Sequence, residues 1–164
     1  MDKEVEKLEA QGKAAKQASH RLAYTGSDTK NRALHNIAED LLAKQDEILA
    51  ANKIDYENGQ KTGMGAALLD RLMLDAGRLA AIAADVRTVA SLQDPVGETF
   101  EMRTLPNGLQ AGKRRVPLGV IGAIYESRPN VTVDISALCL KSGNCVILRG
   151  GKETINSNKA IVHI

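Results

Sequence analysis

Residues Val116–Thr154 read VPLGVIGAIYESRPNVTVDISALCLKSGNCVILRGGKET, and the order of patterns in this stretch decides the fold. Val120, Ile121, Ala123 and Ile124 form a short apolar run set off by Gly119 and Gly122, as expected of a strand buried on both faces. Polar residues and a proline interrupt from Glu126 to Asn130. From Val131 to Leu140, Val131, Ile135, Leu138 and Cys139 recur at helical spacing. Ser142-Gly143-Asn144 stops that helix, glycine being the usual residue where a chain leaves a helix with positive φ. Cys145–Leu148 is a second apolar run of strand length. The pattern is one βαβ unit, so the two strands should run parallel, joined by a crossover helix.

In open α/β sheets ligands bind beyond the carboxyl ends of the strands. Here those ends carry Tyr125-Glu126-Ser127-Arg128-Pro129-Asn130 and Arg149-Gly150-Gly151-Lys152-Glu153. Arg149 and Lys152 supply positive charge for phosphate groups. Gly150-Gly151 should let a ligand approach bare backbone. The plain alternative is two solvated loops at sheet ends.

The chain outside this stretch is helical, then strand-like. Residues 2–24 suit a helix with Val5, Leu8, Ala14, Ala15, Ala18 and Leu22 on one side. Ser27 or Asp28 can cap the next helix. It is read over 27–52, with Leu34, Ile37, Ala38, Leu41, Leu42, Ile48 and Leu49 in one stripe and Lys30 off it. Asn52–Gly65 is polar with three glycines, and reads as a loop with a helical turn. A short helix is expected over Ala66–Leu72. Asp75 caps another with Leu79, Ile82, Ala83, Val86 and Val89. Glu98–Leu105 and Leu109–Val116 are strand-like, and Pro106-Asn107-Gly108 between them signals a hairpin. Lys113-Arg114-Arg115 is read as a solvated strand edge, since basic residues there discourage aggregation.

Composition narrows the function classes. The 164 residues carry 22 Lys+Arg against 20 Asp+Glu, too balanced for a general nucleic-acid footprint. No run of about 18 apolar residues marks a transmembrane helix. The charged start MDKEVEKLEAQGK lacks the apolar centre of a signal peptide. Cys139 and Cys145 both lie in apolar elements, which fits packed thiols in a reducing cytoplasm rather than a disulfide framework. Gly151-Lys152 after a strand suggests a P-loop, but Val146 stands where that motif needs glycine and Glu153 where it needs Ser or Thr. Gly119-x-x-Gly122 is not the dinucleotide fingerprint and lies within the strand. His20, His35 and His163 are scattered, so no metal site is expected.

PLGVIGAIYESRPNVTVD and LCLKSGNCVILRGGKET resemble the glutamate-5-semialdehyde dehydrogenase (gamma-glutamyl phosphate reductase) family of the aldehyde dehydrogenase superfamily. KNRALHNIAEDL, LLDRLMLDAGRLAAIAADVR and LQDPVG resemble the family's N-terminal segments in the same order, so the likeness runs from about Ala10 onward. The fold it implies is α/β: N-terminal helices (1–95), a β-hairpin (96–117), then the start of a parallel Rossmann-like sheet (118–164) in an incomplete cofactor-binding domain. The activity implied is NADPH-dependent reduction of L-glutamyl 5-phosphate to glutamate 5-semialdehyde and phosphate, in proline biosynthesis, by a cytoplasmic homo-oligomer. Cofactor contacts then fall to Tyr125, Glu126, Ser127, Arg149, Gly150, Gly151 and Lys152. Lys152 stands where NAD-preferring superfamily members often have a glutamate for the ribose hydroxyls, and a cation there suits the 2′-phosphate of NADP(H). Arg128 and Asn130 are the alternatives for the oxyanion or substrate contact beside the reacting carbonyl.

The family's cysteine nucleophile, substrate lysines and oligomerisation segment come after the position of Ile164. The expectation is therefore a truncated piece with no catalytic cysteine, inactive alone and prone to self-association through an exposed sheet edge. The competing reading is a stand-alone α/β binding or protein-interaction module. Amphipathic helices permit it, while the two basic and polar loops favour the reductase.

Overall fold

A computed structural model describes residues 2–164. Five helices come first: α1 (Asp2–Leu22), α2 (Ser27–Ala43), α3 (Gln45–Lys61), α4 (Ala66–Leu72) and α5 (Ala76–Ser91). Strands β1 (Thr99–Thr104) and β2 (Gln110–Arg114) follow, then β3 (Val120–Ile124), α6 (Pro129–Lys141), β4 (Cys145–Arg149), a 3₁₀ turn (Lys152–Thr154) and α7 (Ile155–Val162). The architecture is the mixed α/β arrangement that the sequence implies.

The core is helical. Leu34, Ala38 and Leu41 of α2 meet Leu79, Ile82, Ala83, Val86 and Ala90 of α5 and Val133 and Ala137 of α6, and all of these are buried. The expected stripes therefore do face one another. Burying one Leu or Ile contributes about 1.5–3 kcal/mol, so the α2–α5–α6 seam supplies much of the hydrophobic drive. Pro129 begins α6, where its missing N–H costs nothing and its fixed φ suits the first turn. Gly143, at φ 73°, ends it, with Asn144 N–H donating to Cys139 O at 2.8 Å.

The helix expected over 27–52 is two. It breaks at Lys44 (φ −103°, ψ 20°), and α3 then continues through the polar stretch read as a loop, to Lys61. Neither Gly nor Pro marks the break. Asn52 and Asp55 are 2% exposed, so the polar face of α3 is an inner face that packs on α7. Ser27 and Asp28 do not cap α2. Gly26 holds the cap position with no side-chain bond, and Ser27 Oγ donates to Asp94 Oδ2 at 2.6 Å instead. Asp75 does cap α5, accepting from Arg78 N–H at 2.7 Å.

The hairpin forms as read, with Gly108 at φ 81° in its turn. Its basic run is engaged with the neighbouring strand: Lys113 Nζ lies 2.6 Å from Glu101 and Arg115 Nε 2.6 Å from Glu98, both over the Phe100 ring. β3 and β4 pair in parallel, from Val120↔Cys145 to Ile124↔Arg149. β3 is not buried on both faces: none of its residues is fully buried and Ile124 is 84% exposed, and among the described residues β4 is its one sheet neighbour, so one edge is open as well. α1 packs against this sheet. Among the described residues no helix is long and apolar enough to cross a membrane.

Candidate functional site

Parallel pairing brings the two polar loops together at one end of the sheet. Tyr125 N–H donates to Arg149 O at 3.1 Å, extending the ladder one step past β3. The loops are then joined by side chains. Ser127 Oγ donates to Glu153 Oε2 at 2.6 Å, and that bond holds the Glu153 carboxyl below its ordinary value of 4.5. Tyr125 OH and Thr132 Oγ1 are 2.7 Å apart, and Thr132 Oγ1 donates to Asn158 Oδ1 at 2.9 Å. Because the Thr132 hydroxyl has one proton, Tyr125 must donate to Thr132. Asn158 Nδ2 donates onward to Thr154 Oγ1 at 3.1 Å, and Thr154 to Gly151 O at 3.1 Å. Thr132 and Thr154 are buried, so this chain is a fixed scaffold under the loop ends.

The two glycines are also required by packing inside the protein. A Cβ on Gly150 would lie 2.4 Å from Asn158 Nδ2 and 3.0 Å from the Tyr125 ring. A Cβ on Gly151 would lie 2.3 Å from Ser127 Oγ. The space above the bare backbone is taken by the protein's own side chains, and the close approach of the two loops is what requires glycine.

Three clefts surround these loops. A cavity of about 470 Å³ is lined by Tyr125, Thr132, Leu148, Arg149, Gly150 and Lys152, by Ile155, Asn158, Lys159 and Val162 of α7, and by His163 just after it. It combines an apolar wall of Leu148, Ile155 and Val162 with the cations Arg149, Lys152 and Lys159, a combination suited to a phosphorylated ligand with an apolar ring. Lys159 and His163 were missed in the sequence, although the spacing Ile155, Lys159, Val162 puts them on one helical face. A second cavity of about 450 Å³, which Lys152 also lines, takes in Asp55, Asn58 and Gly59 of α3 with Thr62, Met64, Glu153, Ile155 and Asn156. The third, about 260 Å³, takes Glu126, Ser127, Arg128, Gly151 and Glu153 with Met64, Leu68 and Arg71.

The candidates are thus divided. Tyr125, Arg149, Gly150 and Lys152 face the first cleft, whereas Glu126, Ser127, Arg128 and Gly151 face the third. Asn130 lines none of the three, and its amide donates to Asp134 Oδ2 on its own helix at 3.2 Å. Arg128 Nε is buried without a hydrogen-bond partner. Arg71 and Glu126 approach to only 3.8 Å. Cys139 is 5% exposed, and burial, with a smaller effect of Cys145, pushes its thiol above 9.0, as suits a packed residue rather than a nucleophile.

No protein-family model matches the chain. It is 58% identical over 157 residues to the gamma-glutamyl phosphate reductase of Psychromonas ingrahamii, covering 96% of this chain and 38% of that protein. Against the gamma-glutamyl phosphate reductase of Dehalococcoides mccartyi strain ATCC BAA-2266 it is 56% identical over 164 residues, 100% of this chain and 39% of that one. The crystal structure of the Thermotoga maritima gamma-glutamyl phosphate reductase superposes with a TM-score of 0.92 at 44% identity, over 95% of this chain and 38% of that chain. That of the Saccharomyces cerevisiae protein gives 0.88 at 36% identity, over 92% and 38%. In sequence and in fold alike the chain belongs to the gamma-glutamyl phosphate reductase family, spanning 38% of the length of relatives such as the Psychromonas protein.

Proposed function

We propose that this chain is the cofactor-side, N-terminal part of an NADPH-dependent reductase that converts L-glutamyl 5-phosphate to L-glutamate 5-semialdehyde and phosphate in proline biosynthesis. The observation that carries the cofactor assignment is the first cleft, where three cations and an apolar wall meet beyond the carboxyl ends of two parallel strands. Such a site fits the phosphorylated adenosine half of a dinucleotide. When bound, the reduced nicotinamide supplies the hydride. In this reading Arg149 and Lys159 hold the pyrophosphate and ribose, and Lys152 receives the 2′-phosphate. The Tyr125–Thr132–Asn158 chain fixes the cleft's floor.

Of the two substrate-contact candidates, Arg128 is the better placed. It lines a cleft with a buried, unpartnered Nε, whereas the Asn130 amide is taken up by Asp134. A guanidinium is also the group suited to an acyl phosphate, through paired N–H donors. The nucleophile is assigned to neither Cys139 nor Cys145. Calorimetric titration with NADPH tests the reading: saturable binding is expected, weakened about tenfold or more in Arg149→Ala, which corresponds to about 1.4 kcal/mol or more. Binding indifferent to Arg149 and Lys152 would remove the cofactor assignment.

A further inference from the structure

Asp55 of α3 is 2% exposed and accepts four hydrogen bonds, all from the first turn of α7. Asn156 gives its backbone N–H and its Nδ2 to Oδ1 at 3.3 and 2.7 Å. Ser157 gives its N–H and its Oγ to Oδ2 at 2.7 and 2.6 Å. Asn52, one turn earlier on α3, donates to Ser157 Oγ at 3.0 Å. A carboxylate at a helix N-terminus is stabilised by the free N–H groups and the helix dipole, so Asp55 is a cap supplied from another helix. What it caps continues directly from the Lys152–Thr154 turn.

Lys152 lies between two cavities, the nucleotide cleft and the one that Asp55 itself lines. Both Asp55 oxygens are occupied by Asn156 and Ser157, and Lys152 makes no ion pair among the described residues. We propose that Asp55 is a positioning residue for nucleotide choice: by clamping the start of α7 it holds the Gly150–Thr154 loop so that Lys152 serves the 2′-phosphate. This rests on the role given to Lys152 above.

The test uses the full enzyme that carries this chain, with KM measured for NADPH and for NADH. Lys152→Ala is expected to raise the NADPH KM about tenfold and leave the NADH KM within about twofold. Asp55→Ala should do the same, Asp55→Asn should do so more weakly because it keeps one acceptor oxygen, and the Asp55→Ala/Lys152→Ala double variant should be no worse than Lys152→Ala. A merely structural Asp55 would raise both KM values alike, or add its full effect to that of Lys152→Ala, and either result overturns the proposal. Should Asp55→Ala not fold, Asp55→Asn decides on the same ratio. If Lys152→Ala leaves the ratio unchanged, the reading of Lys152 itself fails and this inference goes with it. A ratio that moves with Lys152 but not with Asp55 defeats the inference alone.

Discussion

Lys30 Nζ lies 2.6 Å from Asp94 Oδ2, with the lysine side chain 1% exposed. The same ammonium donates to Lys141 O at 3.1 Å, while Lys141 Nζ donates to Ala90 O and Asn31 Oδ1, both at 2.7 Å. Two lysines inside the fold thus tie α2, α5 and α6 to the loop before the hairpin. Removing one member of a buried pair leaves the other charge uncompensated. Lys30→Met is expected to destabilise the protein by about 3 kcal/mol in urea unfolding. Replacing Asp94 by Leu in the same variant should recover part of that loss. A change under about 0.5 kcal/mol for Lys30→Met would mean the pair contributes nothing.

The pair also predicts an acid response. Burial alone would raise the Asp94 carboxyl, but hydrogen bonds from Lys30, Ser27 and the Val96 N–H outweigh it and leave the group below 3.8. A carboxyl depressed on folding contributes stability that is present above its unfolded value and lost as pH falls through the folded one. Stability should therefore decline below about pH 4 in the native protein, and decline less steeply in Asp94→Asn. Parallel slopes for the two in acid titration monitored by circular dichroism would contradict this.

Nucleotide preference should follow the sign of the charge at residue 152. Lys152→Glu places a carboxylate where a 2′-phosphate is proposed to sit, between Arg149 and the start of α7. The NADPH KM is expected to rise about tenfold more than the NADH KM. Equal rises would assign Lys152 no part in discrimination.

Gly143 is held at φ 73°, and a Cβ there would lie 2.9 Å from Pro117 Cγ and 3.3 Å from Val96 Cγ2. Backbone strain and overlap with a stiff ring act together. Gly143→Ala should cost about 2 kcal/mol, read as a lower urea midpoint at unchanged slope. Gly12, which meets nothing within 4 Å, is the control and should tolerate alanine.

The Cys139 thiol, raised first by burial and then by Cys145, should resist alkylation at pH 8 until the protein unfolds. Rapid labelling of the native protein would show that the α6 seam opens. Cys139→Ala is expected to leave turnover unchanged.

Much of the architecture was legible because local patterns repeat. The Leu34–Ala38–Leu41 stripe, the Asp75 cap, the Asn107-Gly108 turn and the two apolar runs around α6 each depend on residues within a turn or two of each other. The break at Lys44 was not legible, since no residue there disfavours helix; Leu41 before it and Ile48 after it are buried in one core. α3 past Asn52 was missed because its inward face is polar, and hydropathy cannot distinguish a satisfied polar face from a solvated one. In the site, Arg149 and Lys152 were found by their place after a strand. Lys159 and His163 became visible only with α7 folded back over the loop.

By itself the amino-acid order determined the strands, turns, helix stops and the βαβ sense of 116–154, because steric and periodic preferences act over a few residues. Tertiary structure decided which polar groups are inside. Lys30 with Lys141, and Asp55 with Asn156 and Ser157, are separated by 111, 101 and 102 positions. Nothing in the local sequence marks a charged residue for burial; only a partner brought close by the fold can offset its lost hydration.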